Sequence, residues 1–204
     1  MKYGLSSRIY GFAFTKMLKD YYQKHQPETK MKDICRELKK EYREMILRTP
    51  GIGGSSNEAN LVGACYFFAM AKTVPGMTPS RMDDIIFESI HSDLMVKLHR
   101  GQKKKGTLFS QKEQEKKQKE AEKSHQSSFE MDWEFTYQPG KDEFYLTYTR
   151  CGICRLAKKE GMEQYLPCLC KMDYPKYELV GGKLIRTKTL AGGDECCNFH
   201  VIRE

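Results

Sequence analysis

Residues 129–150 read FEMDWEFTYQPGKDEFYLTYTR, and their alternation decides the fold class. Every second residue from Phe129 to Tyr137 is apolar or aromatic, which is typical of a half-buried β-strand. The run Pro139–Asp142 predicts a turn, and the stretch Phe144–Arg150 predicts the partner strand. This part of the chain therefore predicts an antiparallel hairpin.

The chain before this hairpin has a different, helical period. Apolar residues recur every three or four positions and predict four helices, over Tyr3–Gln26, Lys30–Arg48, Glu58–Thr73 and Thr78–Leu98. Thr78 and the proline after it are typical of a helix start, and we expect Leu94 and Leu98 to face the core.

After the hairpin the pattern predicts a short helix over Cys151–Gly161, a loop to Tyr174, and two more strands over Lys183–Thr189 and Cys196–Arg203. Helices followed by antiparallel strands predict an α+β fold, in which an N-terminal helical layer packs on a C-terminal antiparallel sheet. We expect a single domain of residues 1–204, with a helical part at 1–100, a polar basic connector or helix at 101–127, and a cysteine-rich sheet part at 128–204.

The charge of the chain is concentrated in one segment. The formal net charge is +8, and Gln102–Ser127 contributes half of it with eight Lys and four Glu. This segment lacks the interleaved aromatic residues that stack on single-stranded nucleic acid, and it lacks the apolar face of a membrane-surface helix. We therefore expect no nucleic-acid or membrane partner, and a small-molecule substrate or ligand instead; an oligomer remains open.

We expect the cysteines to be reduced, and most of them lie near the C-terminus. The longest apolar run, Ala64–Ala71, is too short to span a membrane, and no signal-peptide core follows Met1, so we expect a cytoplasmic protein. Its eight cysteines are then thiols, thiolates or metal ligands. Six of them lie between Cys151 and Cys197. Cys35 and Cys65 lie on apolar helical stripes and are expected to pack as small hydrophobic residues.

Two closely spaced pairs stand out, Cys151-x-x-Cys154 and Cys168-x-Cys170. Together they are one way to build a four-cysteine zinc site, although the second spacing is tighter than in common zinc knuckles. A redox dithiol is the weaker interpretation, because no β-α-β pattern surrounds the C-x-x-C pair. Zinc is thus the one cofactor that the sequence suggests.

Three further residues are candidates for the same site. Asp173 follows the second pair and can act as a general acid or base, or as an oxygen ligand. If Arg186 faces inward, its charge needs an anionic partner such as a substrate carboxylate or Asp173. Cys196 and Cys197 cannot share one face of a strand, so Cys197 is the one expected to face the core or a cavity, and His200 is left out of the site.

The stretches Arg150–Cys154, Leu166–Tyr174 and Gly181–Phe199 resemble the family named for L-2-amino-thiazoline-4-carboxylic acid hydrolase. The resemblance implies hydrolytic opening of a small sulfur and nitrogen ring by a thiolate or a metal-bound hydroxide. It implies catalytic roles for Cys151, Cys154, Asp173 and Arg186, and substrate contacts from Arg186, Thr189 and Cys197. The attacking thiolate, or the ligands of a metal-bound hydroxide, come from Cys151, Cys154, Cys168 and Cys170, the four possible zinc ligands that the spacing gives.

The end of the chain is more distantly similar to vinyl-reductase-type domains that bind aromatic compounds. Members of that group that hold zinc use a Glu and a Cys where this chain has Arg186 and Thr189, so their metal site does not carry over. This similarity keeps an alternative function open, a non-catalytic small-molecule-binding or sensor domain in which a cysteine-metal site is structural.

Overall fold

Four antiparallel strands form one sheet in the C-terminal part of the protein, in the spatial order β1-β2-β4-β3. They are β1 (Glu134–Gln138), β2 (Glu143–Arg150), β3 (Gly182–Ile185) and β4 (Cys197–Arg203). The computed structural model describes the backbone of residues 1–204 and all side chains except those of Leu94 and Leu98. The inward orientation expected for these two leucines therefore lies outside the described side chains.

Nine α-helices accompany the sheet in this described chain. They are α1 (Leu5–His25), α2 (Met31–Arg48), α3 (Glu58–Thr73), α4 (Pro79–Ile90), α5 (Asp93–Lys105), α6 (Gln111–Ser124), α7 (Gly152–Glu160), α8 (Leu166–Lys171) and α9 (Asp173–Val180). The helices come first and most of the strands last, so the α+β prediction is confirmed. No helix in the described part of the chain is both long enough and apolar enough to cross a membrane.

The core lies between the helices and one face of the sheet. Helix α3 is buried without interruption from Leu61 to Met70, because α1, α2 and α7 all contact it. The inward face of the sheet alternates as its sequence predicts: Phe144 and Leu146 are buried on β2, whereas Tyr145 between them is exposed. Helix α7 follows β2 and contacts α3, so it connects the sheet to the buried helix.

The prediction of one long helix over Thr78–Leu98 is wrong, because the structure has two helices there, with an interruption between Ile90 and Asp93. Ser92 has extended backbone angles and its hydroxyl accepts a hydrogen bond from the N–H of Met95, at 3.5 Å, so it caps a new helix. The polar segment after it is helical in most of its length, which selects the helix over the connector for residues 111–124.

Two predicted strands are shorter in the structure. β1 begins only at Glu134, because the carboxylate of Asp132 accepts hydrogen bonds from Ser127 Oγ and from the N–H of Trp133, which holds the preceding residues in a turn. β3 ends at Ile185, because Asn198 Oδ1 accepts from the N–H groups of Thr187 and Lys188 and so replaces the sheet partner there. The strand prediction for 186–189 is therefore wrong.

The loop expected between Gly161 and Tyr174 is also wrong. The residues form α8 and the start of α9, with Pro167 near the start of α8, where its missing N–H costs no hydrogen bond. This difference matters for the site, because it changes the direction in which Cys168 and Cys170 point.

Candidate active site

The C-x-x-C pair lies where β2 passes into α7. Cys151 follows the last residue of β2 and has the extended backbone angles of a helix N-cap, and Cys154 lies in the first turn of α7. Gly152 permits this junction: a Cβ there would overlap the carbonyl oxygen of Met131 and lie 2.9 Å from the ring of Trp133. The two thiols are therefore held on one helical turn by a close backbone contact with the segment before β1.

The position of Cys151 favours its thiolate. The pKa of Cys151 is lowered, first by the Cys154 thiol and then by the backbone N–H groups of Cys154 and Ile153, while burial opposes the shift. These N–H groups face the sulfur without reaching the geometry of a full side-chain cap. The pKa of Cys154 is raised by its hydrogen bond with the Cys151 thiol and by burial. A helix N-terminus favours a thiolate in the same direction, so Cys151 is the thiol of the pair that loses its proton more readily.

Two more thiols lie near this pair. The negative charge of Cys151 raises the pKa of both Cys170 and Cys197, after burial, which is the larger cause for each. The pKa of Cys170 rises to about 12. Cys197 Sγ accepts a hydrogen bond of 3.2 Å from the N–H of Leu190, so its sulfur already has a partner. We call Cys151, Cys154, Cys170 and Cys197 the thiol cluster.

Cys168 does not join the thiol cluster. Residues two apart on a helix point to different faces, and α8 turns Cys168 towards α4 while Cys170 faces the cluster. The Cys168 thiol donates to the carbonyl of Pro79 at 3.3 Å, and burial together with Asp83 raises its pKa to about 12. The four-cysteine set proposed from the sequence is therefore not assembled.

Metal-ligand geometry is not found elsewhere in the described residues either. No group of three or more His, Cys, Asp or Glu side chains among them is arranged to hold a metal ion. A zinc site closed by Cys151, Cys154, Cys168 and Cys170 does not fit this arrangement, because one of the four thiols points to another helix.

Arg186 is buried and is paired with Asp173. Its Nη1 donates to Asp173 Oδ2 and its Nη2 to the carbonyl of Cys170, both at 2.9 Å. The guanidinium also lies over the rings of Tyr174 and Phe199, at 5.0 and 4.9 Å from their centroids, and only 4% of the side chain is exposed. Of the two partners considered from the sequence, the structure selects Asp173 and leaves Arg186 little surface for a substrate carboxylate.

Asp173 faces the thiol cluster from the start of α9. Burial raises the pKa of its carboxyl, although the charges of Lys176 and Arg186 both oppose the shift. Its side chain is 31% exposed, so the carboxyl is surrounded by protein and still reachable. A carboxyl of this kind can hold a proton closer to neutral pH than an exposed one.

Two tyrosines complete the site and are absent from the candidates found in the sequence. Tyr148 of β2 pairs in register with Cys197 of β4, and Tyr177 lies one turn after Asp173 on α9. Burial raises the pKa of both phenols, and the charge of Asp173 contributes to each shift. Neither hydroxyl has a hydrogen-bond partner among the described residues, although both side chains keep some exposed surface. The alternation of β2 could have placed Tyr148 on the inward face with Leu146 and Phe144.

Tyr148, Cys151, Asp173 and Tyr177 are partly exposed side chains that lie close enough for their charges to shift one another's pKa. We call the place where these four side chains meet the cleft. Its wall holds a thiol of lowered pKa, a carboxyl of raised pKa and two tyrosine hydroxyls. Such a set can supply a nucleophile, a proton donor and hydrogen bonds to a small polar ligand.

The other candidates are placed as follows. The Thr189 hydroxyl accepts from the N–H of Gly192 at 3.0 Å and caps a short 3₁₀ turn, so its role is local. His200 pairs with Glu143 and stacks on Tyr145, on the outer face of the sheet, as expected. Cys65 is buried beside Thr49, and Cys35 is partly buried on α2.

Comparison with known proteins gives one assignment. No curated protein and no solved structure matches the chain. A family model described as L-2-amino-thiazoline-4-carboxylic acid hydrolase matches residues 56–201, a range that contains α3, the first three strands, most of β4 and the whole cleft. Because the match extends over most of the 204 residues, the chain belongs to the L-2-amino-thiazoline-4-carboxylic acid hydrolase family.

Proposed function

We propose that this protein hydrolyses a small cyclic amidine acid, such as an L-2-amino-thiazoline-4-carboxylate, at the cleft between β2, α7 and α9. Family membership supports the reaction class. The observation that carries the proposal is the pairing, in one recess, of a thiol whose pKa is lowered with a carboxyl whose pKa is raised. Opposite shifts of neighbouring groups are typical of a nucleophile and a general acid.

In the first step the Cys151 thiolate adds to the amidine carbon of the ring. The electron pair of the C=N bond moves to nitrogen, which takes a proton from Asp173. The bond between this carbon and a ring heteroatom then breaks, and the heteroatom takes a proton from the nitrogen of the adduct as it leaves. Water adds to the same carbon, and its proton passes through the Asp173 carboxylate to that nitrogen. The carbonyl then forms as the bond to Cys151 breaks, which restores the Cys151 thiolate and returns the hydroxyl proton to Asp173. The negative charge of Asp173 raises the pKa of Cys151, so protonation of Asp173 in turn favours the thiolate that the first step needs.

Arg186 acts as a positioning residue in this scheme. Its guanidinium is fixed by two aromatic rings and by the Cys170 carbonyl, and it holds one carboxylate oxygen of Asp173 while the carboxyl stays partly exposed. The cation for a substrate carboxylate is then a different residue. We assign this role to Lys176, which is exposed and whose charge is felt by Asp173.

The decisive experiment is a ring-opening assay on purified protein with the thiazoline acid, comparing wild type with Cys151→Ser, Asp173→Asn and Cys35→Ser. We expect the first two changes to lower kcat/KM by about 100-fold or more each, because each removes a reacting group. Cys35→Ser is the matched control and should keep the wild-type rate, since Cys35 lies on α2 away from the cleft. Full activity in Cys151→Ser would refute the assigned nucleophile.

A binding domain without turnover is the second candidate, and the tyrosine-lined cleft is the observation that favours it. Tyr148 and Tyr177 offer hydroxyl groups and ring faces that can hold a small ligand without a reaction. Calorimetric binding of the thiazoline acid by wild type, with no product formed at high enzyme concentration, would select this candidate over the hydrolase.

A further inference from the structure

We infer that Cys151 and Cys154 form an oxidisable pair: a peroxide converts the Cys151 sulfur to a sulfenic acid, and Cys154 then closes a disulfide. This chemistry requires only the two thiols and a peroxide. Its consequence for activity rests on the proposed hydrolase function, because a disulfide would remove the nucleophile. The cleft would then be a redox-controlled site as well as a catalytic one.

The geometry of the β2–α7 junction supports the pair. Cys151 is the N-cap residue and Cys154 is three residues later, so both sulfurs lie at the same end of one helical turn. Side chains three apart on a helix have Cβ atoms about 5–6 Å apart, and a disulfide needs roughly 3.5–4.5 Å, so a small rotation at the N-cap closes the gap. The influence of the Cys154 thiol on Cys151 shows that the two sulfurs are already neighbours.

The surroundings also separate an attacking thiol from a resolving one. The pKa of Cys151 is lowered and that of Cys154 is raised, so Cys151 is the thiol that more readily forms the attacking thiolate. Both are partly exposed, whereas Cys65, Cys168 and Cys197 are buried. Low pKa, access for small molecules and a neighbouring second thiol are the properties of oxidation-sensitive cysteines.

The sequence makes a redox pair of Cys151 and Cys154 the weaker interpretation, because no β-α-β pattern surrounds them. The structure supplies the local part of that arrangement in another setting: strand β2 leads directly into the C-x-x-C turn, which opens helix α7. The effect of a helix N-terminus on a thiol depends on the helix and not on whether the neighbouring strands are parallel. An antiparallel sheet therefore does not exclude the chemistry.

The oxidation of the pair takes place in two steps. The Cys151 thiolate attacks one oxygen of hydrogen peroxide, the O–O bond breaks, and hydroxide leaves; the sulfur is oxidised and the peroxide is reduced. The Cys154 sulfur then attacks the sulfenic sulfur, and the S–OH oxygen leaves with the Cys154 proton as water. The products are one disulfide, one water and one hydroxide. A dithiol reductant converts the disulfide back to two thiols by thiol–disulfide exchange.

The experiment uses a property of the sequence. Cleavage after Arg and Lys releases Cys151–Arg155 as one short peptide that contains both thiols and no other cysteine, while Cys168 and Cys170 share a different peptide. Full-length protein is treated with hydrogen peroxide, alkylated, digested and weighed by mass spectrometry. We expect the Cys151–Arg155 peptide to lose two hydrogens and to escape alkylation, with recovery after reduction.

Two variants sharpen the result. In Cys154→Ser the same peptide should instead carry a sulfenic acid that a 1,3-dione traps, because the resolving thiol is missing. Cys168→Ser is the matched control and should form the disulfide as wild type does. Cross-linked peptides that join Cys151 to Cys170 or Cys197, or a peptide that stays reduced while Cys35 is oxidised, would overturn the pair.

These readouts involve no substrate, so they separate the inference from the proposed function. A disulfide formed in a protein that never opens the thiazoline ring would refute the hydrolase and keep the oxidisable pair. Hydrolysis that continues at the full rate after the peptide is fully oxidised would refute the nucleophilic role of Cys151 alone.

Discussion

The cysteine pair of the β2–α7 junction and the cysteine pair of α8 look alike in the sequence and behave differently in the structure. Cys151 and Cys154 are three residues apart, close to one helical period, so both face the cleft. Cys168 and Cys170 are two residues apart on a helix, so one faces α4 and the other the thiol cluster. The spacing of thiols has meaning only relative to the period of the element that carries them.

The largest expected contrast between the two pairs is thiol reactivity. The pKa of Cys151 lies below its ordinary value of 9, and that of Cys168 is about 12. At pH 7 we expect Cys151 to react with iodoacetamide at least about 100-fold faster than Cys168, after allowance for the weaker nucleophilicity of an acidic thiol. Peptide-resolved alkylation rates over pH 5–9 measure this. Equal rates for the two sites would contradict the difference in environment.

The second contrast concerns the backbone that positions each pair. In Gly152→Ala the new Cβ meets the Met131 carbonyl and the Trp133 ring, so the junction must move. We expect a loss of unfolding free energy of about 1–3 kcal/mol, typical of overpacking, and slower alkylation of Cys151. Urea denaturation measures the first and alkylation the second. Gly161→Ala is the control at the other end of α7. Gly161 follows the last residue of the helix, and a Cβ there meets no atom within 4 Å. Its positive φ of 67° adds strain, but we expect the alkylation rate of Cys151 to stay unchanged.

The same comparison explains how much the sequence can predict. The hairpin and the order of helices and strands follow from local patterns. The charge of Arg186 predicts only that it needs an anionic partner, and the structure identifies that partner as Asp173. The direction of Cys168 depends on a carbonyl 89 residues away in the chain, and the end of β3 depends on the side chain of Asn198. Tyr148 and Tyr177 enter the site only because β2 and α9 meet in three dimensions. The alternation of β2 can place Tyr148 on the inward face, but which residue of another element it meets there leaves no periodic signal.

The third contrast concerns the ion pairs that hold the C-terminal end of α7. Arg48 donates to both oxygens of Glu160, and Lys72 donates to one of them, which ties α7 to α2 and α3. The Arg48 hydrogen bonds first, and Lys72 next, lower the pKa of Glu160 from 4.5 to about 2 against the effect of burial. A lowered folded-state pKa stabilises the protein above the unfolded pKa and ceases to do so as the pH falls towards 2.

We therefore expect wild type to lose roughly 1–2 kcal/mol of unfolding free energy from this group between about pH 4.5 and 2, a value reduced for solvent screening of the Arg48 partner. Glu160→Gln should lack this part of the acid slope while being less stable at neutral pH. Urea denaturation at a series of pH values measures both curves. Parallel curves for wild type and variant would show that Glu160 is not the titrating group.

The smallest expected effect concerns Cys168 and metal. Its thiol donates a single neutral hydrogen bond to Pro79, so Cys168→Ser should change stability by only about 1 kcal/mol and keep the hydrolysis rate. Because this thiol is turned away from the cluster, any zinc found by elemental analysis of protein purified without chelator should be equal in wild type and Cys168→Ser. Halving of the metal content in that variant would mean that α8 rotates on metal binding and that the two cysteine pairs meet after all. Equal content would leave Cys168 as a packing residue and confine the chemistry to the cleft beside α7.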